Sequence, residues 1–278
     1  MRYRLMVIAL SAASLMVSLA ASNSRADQGR GTGPRPAAGP APRWPDGRIN
    51  LGAPVGETGV WERRNEHLVN NPKSYQAAAT RNARVPIDEV PLQPWARALT
   101  DERHAIALAS EPYTRCKPAG GPRQFMSPYG LEIVDVPDLQ RIYIFNIANA
   151  QSYRTIYMDG RGHPARPTPG SFGHSIGSWE GDTLVIDSVG FSEDFWMNRD
   201  GLPHTDRLHL VERVTRIDFD TLDYEVTIDD PGAYTAPWTS GYTLGFTKGG
   251  ELFEYICQAN NLSPESMGGD SLISPIVP

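Results

Sequence analysis

The sequence predicts a mainly β protein: an antiparallel up-and-down barrel of calycin-like type with an N-terminal helical flank. Three observations carry that expectation. After Cys116, apolar and polar residues alternate with period two in a series of short runs. Clusters of Gly, Pro, Asp and Asn separate these runs, with no alternating helical patterns between them. A meander of that length would leave two unpaired edges and a bare apolar face unless it closed on itself.

From the N-terminus, the first element is a leader for export. Arg2 and Arg4 precede an apolar run from Leu5 to Ala21 and then Ser24-Arg25-Ala26, the order of a secretory signal peptide over residues 1–26. An anchor helix needs about 20 apolar residues, and this run is shorter and broken by serines, so no membrane insertion is expected after cleavage. Residues 27–59 are rich in Gly, Pro and Ala and bury too little to offset their ordering entropy, which predicts a flexible leader. Trp44, Ile49 and Leu51 are its surface anchors, and Trp61 is read the same way. Residues 60–115 are the helical flank. Its clear helix covers 93–109, with Pro94 at the start and apolar Trp95, Leu99, Ile106 and Leu108; a weaker pattern covers Ser74 to Asn82.

The barrel is expected over 116–262, followed by a flexible tail, 263–278. Its strands are read at Leu131–Val136, Arg141–Ile147, Tyr153–Met158, His174–Trp179, Thr183–Val189, Leu208–Ile217, Leu222–Ile228, Thr239–Phe246 and Leu252–Cys257. Glu180-Gly181-Asp182 is a hairpin turn. Counting outward from it pairs 180 with 183, 178 with 185 and 176 with 187, and leaves His174 one diagonal step from Asp187 on the same face.

Charge and cysteine usage narrow the function. Loss of Arg2, Arg4 and Arg25 with the leader would take the net charge from −6 to about −9, which repels a phosphate backbone, so nucleic acid is not an expected partner. The two cysteines, Cys116 and Cys257, can form a disulfide in an oxidising compartment. The alternative is a pair of separate buried thiols.

The chain resembles a family of exported bacterial proteins through Arg43-Trp44-Pro45-Asp46-Gly47, Gly120-Gly121-Pro122-Arg123, Tyr157-Met158-Asp159-Gly160-Arg161, the block Gly173 to Phe191, His204-Thr205-Asp206 with His209, Glu212 and Arg213, and Thr227-Ile228-Asp229-Asp230-Pro231. The resemblance runs from about residue 43 to 262. It implies kinship and a periplasmic or secreted location. It brings no activity and no site residue with it.

Candidate chemistry therefore comes from the residues themselves. His174 and Asp187 form a carboxylate–imidazole pair that could move a proton or could serve only as a structural hydrogen bond. On the strand 208–215, Glu212 stands alone among Leu208, Leu210 and Val214 on one face, while His209 lies on the other. A buried Glu212 would need Arg154 as partner or would stay protonated. Glu254, between Leu252 and Ile256, is a similar polar intrusion. The expected catalytic set is His174, Asp187, His209 and Glu212, with Arg154, Tyr157, His204, Trp238 and Glu254 holding the substrate.

No nucleotide-binding loop or dinucleotide fingerprint occurs, so no cofactor is expected. Gly173-His174-Ser175-Ile176-Gly177 fits a nucleophile-elbow string but lies on a strand and hairpin rather than a strand–turn–helix. His204 and His209 lack metal-ligand spacing, so no metal is expected. The expected ligand is a small, partly aromatic molecule inside the barrel. It would be turned over by a cofactor-independent lyase, decarboxylase or isomerase, or merely carried; a structural envelope protein is the third reading. Oligomeric state is left open.

Overall fold

The computed structural model describes residues 38–64, 67–72, 83–106, 111–127, 129–147 and 151–257. The signal peptide expected over residues 1–26, the helical pattern read from Ser74 to Asn82 and the tail expected at 263–278 lie outside the described residues. Nine strands close into one barrel in chain order: β1 (Gly59–Arg63), β2 (Leu131–Val136), β3 (Arg141–Ile147), β4 (Gln151–Tyr157), β5 (His174–Glu180), β6 (Thr183–Val189), β7 (His209–Arg216), β8 (Thr221–Asp229) and β9 (Trp238–Lys248). The period-two pattern is realised as a wall two-faced in burial. Leu210, Glu212, Val214 and Arg216 of β7 and Leu222, Tyr224, Val226 and Ile228 of β8 point inward and are buried.

Closure departs from expectation in two ways. The segment 251–257 is not a strand, and the ninth place in the ring is taken by β1, from the stretch read as leader and flank. Trp61, read as a surface anchor, is 1 % exposed and gives its indole N–H to the Leu51 carbonyl at 2.6 Å. The barrel is also not purely antiparallel, because β4 and β5 run parallel through Ile156↔Ser175 and Tyr157↔Ile176. An odd number of strands requires this: if all nine alternated, β1 and β9 would meet parallel. One parallel step restores the antiparallel β1–β9 seam, which pairs Gly59↔Lys248 through Arg63↔Leu244.

That parallel step needs a longer connection than a hairpin. Residues 158–173 supply it, leaving and returning at almost the same height. The far part of this connection is tied to the end of β6: the Gly170 N–H bonds the Gly190 carbonyl at 3.1 Å and the Ser192 N–H bonds the Gly170 carbonyl at 3.0 Å. At the seam itself Gly177 admits no side chain, since a Cβ would lie 2.6 Å from Met158 Sδ and 2.7 Å from Ile156 Cγ2. The hairpin register between β5 and β6 is the one counted from the sequence, with Glu180↔Thr183 and Ile176↔Asp187. Gly181 has φ +62° at the first central turn position, as a type II′ turn demands.

The helix α1 (Pro94–Ile106) forms within the range read for it. It buries Ala96 and Thr100, whereas Trp95 stays 45 % exposed and donates to the Gly232 carbonyl at 3.0 Å. One end of the barrel is filled by the 3₁₀ segment Gly121–Met126, buried throughout. Phe125 stacks on Tyr224 at 4.3 Å, and Tyr242 donates to the Pro122 carbonyl at 2.5 Å. Cys116 and Cys257 are bridged, with Cα atoms 5.5 Å apart and a sequence separation of 141. In the chain-entropy view a loop of that length lowers the freedom of the unfolded chain by about 5 kcal/mol.

Candidate functional site

Inside the barrel, five buried polar side chains satisfy one another. Arg154 on β4 gives Nη1 to Glu212 Oε1 at 3.0 Å and also binds Oε2 through Nη2. Its Nε reaches Ser175 Oγ at 2.9 Å and Nη2 reaches Ser188 Oγ at 2.6 Å, while the Ser188 hydroxyl donates to Ser175 at 2.9 Å. Tyr224 completes the set by donating to Glu212 Oε1 at 2.9 Å. Arg154 and Glu212 are 2 % and 0 % exposed. The carboxylate overcomes the burial that works against the Arg154 cation, and the guanidinium pKa is raised. The expected Arg154–Glu212 partnership exists. Its members bond to protein groups rather than border open space, and none lines the clefts described below.

On the outside of the same wall lies a second constellation. His174 and Asp187 face outward from β5 and β6, His209 faces outward from β7, and the 158–173 connection brings His163 between them. His163 Nδ1 is 2.8 Å from His174 Nδ1, and His163 Nε2 is 2.9 Å from Asp187 Oδ1. His209 Nε2 reaches the same oxygen at 2.9 Å. The result is an unbroken chain, His174–His163–Asp187–His209, whose members are one-fifth to two-fifths exposed: His163 20 %, His209 38 %, Asp187 41 %. Tyr157 stacks on the His174 ring, centroids 5.2 Å apart, and Arg161 lies 4.1 Å over Tyr157. Burial, then the neighbouring His163 and Arg161, lower the pKa of His174 below the ordinary 6.5.

The hydrogen bonds fix one proton arrangement when each ring is neutral. Asp187 accepts, so His163 carries its proton on Nε2 and presents Nδ1 as an acceptor. His174 must then donate from Nδ1, which leaves its Nε2 as an unshared lone pair. That nitrogen has no hydrogen-bond partner among the described residues, and neither does His209 Nδ1. The ring nitrogens bond in sequence rather than converge, and no group of three or more His, Cys, Asp or Glu among the described residues has the geometry of a cation site.

The nine residues singled out in the sequence thus divide. His174, Asp187, His209 and Tyr157 meet on the outer wall. Arg154 and Glu212 meet on the inner face. His204 is buried at 5 %, its ring tilted against Phe195 with centroids 4.2 Å apart, and its Nε2 is 3.1 Å from the Phe195 carbonyl oxygen. Trp238 is 8 % exposed and packs 5.5 Å from Tyr234. Glu254 is exposed on the non-strand segment 251–257, so the alternation that suggested a buried carboxylate there does not apply. His163 is not among those nine, because strand periodicity says nothing about where a connection folds. Its only cue was a histidine within a Gly/Pro-rich connection too long for a hairpin.

Among the described residues, clefts also lie elsewhere on the surface. One of about 470 Å³ is lined by Glu132, Phe145, Asn146, Ile147, Ser152, Tyr153 and Leu252. A second, of about 210 Å³, lies between Trp44 and Asn50 of the leader and Trp61 and Ile133, and a third, of about 130 Å³, borders α1 at Arg97, Thr100 and His104. Comparison with protein-family models, curated proteins and solved structures gave no match.

Proposed function

We propose that this protein is a cofactor-independent acid–base enzyme, a lyase or isomerase, that removes a proton from a carbon beside a carboxylate or carbonyl. The observation that carries this reading is the directed chain His174–His163–Asp187–His209 with the lone pair of His174 Nε2 at its end. His174 takes the proton at Nε2, and its Nδ1 proton strengthens its bond to His163. The carboxylate of Asp187, through His163, offsets the positive charge that develops along the chain. Arg161, beside Tyr157, supplies positive charge for the electron density left on the substrate. The lowered pKa of His174 keeps the ring unprotonated near neutral pH, the state that a base requires.

This relocates the chemistry from the barrel interior to its outer wall, and assigns the Arg154–Glu212 pair to holding β4, β5, β6 and β7 in register. We further read the chain as exported, periplasmic or secreted, and as a calycin-like barrel related to the bacterial family it resembles. A second reading, a non-catalytic carrier of a small aromatic molecule, draws on the 470 Å³ cleft at Phe145 and Tyr153, which contains no histidine.

The test begins with the protons. Nitrogen NMR of ¹⁵N-histidine-labelled protein at neutral pH is expected to give His174 as the Nδ1–H tautomer and His163 and His209 as Nε2–H. An Nε2–H signal from His174 would remove the base. Deuterium uptake from D₂O into a panel of carboxylic acids and ketones then reads the activity, with an acid limb below pH 6.5. His163→Ala is expected to lower the rate by ~10²-fold or more, whereas a carrier would show no exchange at all.

A further inference from the structure

We propose that the outer wall binds an acidic saccharide chain and presents one of its uronate rings to His174. The chemistry in this inference rests on the acid–base reading above; the binding rests on other residues. A strip of contacts runs without a gap from the 470 Å³ cleft to the histidines. Phe145 and Tyr153, register partners on β3 and β4, have ring centroids 6.1 Å apart, and Tyr143 lies 5.9 Å and 6.3 Å from them. Arg141 is 3.5 Å from the Tyr143 hydroxyl and lies 5.4 Å over Tyr157, which stacks on His174. Tyr153 is 61 % exposed and Phe145 37 %.

The shape and charge of this strip select the occupant. At ~4.8 Å per strand step, the distance from β3 to β7 is roughly 19 Å, too long for a single sugar or small acid to span. Exposed rings alternate with guanidinium, hydroxyl and imidazole groups, which suits a pyranose: its C–H face lies on an aromatic ring while its hydroxyl rim meets polar partners. A protein partner would need a larger dry patch, about 800 Å² a side. Arg141 has no carboxylate partner among the described residues, and Arg161 commits Nε and Nη2 to Asp159 while Nη1 stays open. Arg141 is thus the cation that calls for a carboxylate on the ligand, while Arg161, balanced by Asp159, offers Nη1 as a further donor. The overall charge, −6 and about −9 once the expected leader is removed, repels an acidic chain at long range, so attraction must act at contact distance, within the ~8 Å over which charge is felt at physiological salt.

A uronate so placed supports β-elimination. His174 Nε2 takes the proton from the carbon bearing the carboxylate, and that electron pair forms the carbon–carbon double bond. The bond from the adjacent carbon to the glycosidic oxygen breaks, and the leaving oxygen takes a proton from the Tyr157 hydroxyl, restored from protonated His174 through solvent. No water, oxidant or metal is consumed.

The experiment titrates the full-length exported chain with polygalacturonate, alginate and hyaluronan oligosaccharides of increasing length, with neutral cello-oligosaccharides as control. Binding is read by calorimetry, and the unsaturated product by its ultraviolet absorbance. Affinity is expected to rise with length for the acidic series only. Tyr153→Ala and Arg141→Ala should each weaken it by about tenfold, and His163→Ala should lower product formation by ~10²-fold or more with a much smaller effect on affinity. The assignment is overturned if no acidic oligosaccharide binds, or if Tyr153→Ala and Arg141→Ala both bind like wild type. Strip-dependent binding without product retains the saccharide surface and sinks the catalytic reading; proton exchange on small acids without saccharide binding does the reverse.

Discussion

At the scale of single residues, two ionisable side chains on one strand have opposite fates because of the two-residue period. Glu212 and His209 are three positions apart on β7 and therefore project to opposite sides of the wall. The inward carboxylate must be paired, since an isolated buried charge costs several kcal/mol, and Arg154 together with Tyr224 meets that need. Removing one partner should therefore be far worse than removing both. Arg154→Met is expected to destabilise by ~3–5 kcal/mol by leaving Glu212 unpaired, whereas Arg154→Met combined with Glu212→Leu should recover most of that loss. Urea denaturation of the two single variants and the double variant measures the coupling, and strict additivity would refute it. The outward residues face a different requirement. They remain partly wet, so their hydrogen bonds are free to serve chemistry instead of satisfying burial.

Among the elements, the seam between β4 and β5 matters most. Only two residue pairs join these strands, and Gly177 sits where Ile156 and Met158 cross it. Gly177→Ala is expected to cost ~1–3 kcal/mol by pushing Met158 and Ile156 aside. Gly162→Ala, in the neighbouring connection with nothing within 4 Å of its Cβ position, should be nearly neutral. Thermal melts of the two variants make the comparison. If the seam tolerates Ala at 177 as readily as the loop does at 162, the close packing inferred there is wrong. The same connection carries His163, so a shift of the seam should also disturb the His163 signals in the nitrogen spectrum.

On the scale of the whole molecule, stability should depend on pH through His67. This ring is 3 % exposed, lies 2.7 Å from Arg63 Nη1, and is held to a pKa of about 4 by burial and by the charges of Arg63 and Arg199. In the unfolded chain the same ring would titrate near 6.5. Between those values the unfolded state binds the extra proton, so stability is full above about 6.5 and falls as the pH drops toward about 4. His67→Gln, which keeps an acceptor for Arg63, is expected to flatten this slope in denaturation curves measured across the window. An unchanged slope would exclude His67 as its source. The disulfide acts on the same scale, joining the segment before the barrel plug to the end of the described chain.

Much of this was legible in the sequence because the governing interactions are local. The Glu180-Gly181-Asp182 turn sets the β5–β6 register, and the register alone puts His174 and Asp187 on one face; period two on β7 puts Glu212 inside and His209 outside. The sequence likewise narrowed a buried Glu212 to two states, paired with Arg154 or protonated, and the structure shows the pair. Other features depend on contacts between distant parts of the chain. That β1 rather than 252–257 completes the ring follows from pairing across nearly the whole barrel domain. The parity of a nine-strand closure demands a parallel step, and tertiary pairing places it between β4 and β5. His163 reaches Asp187 only because that step requires a long connection that folds back over the wall. Tertiary structure decided these because a strand pattern specifies which side chains share a face, but the partner of an edge and the path of a loop are set by closing the sheet as a whole.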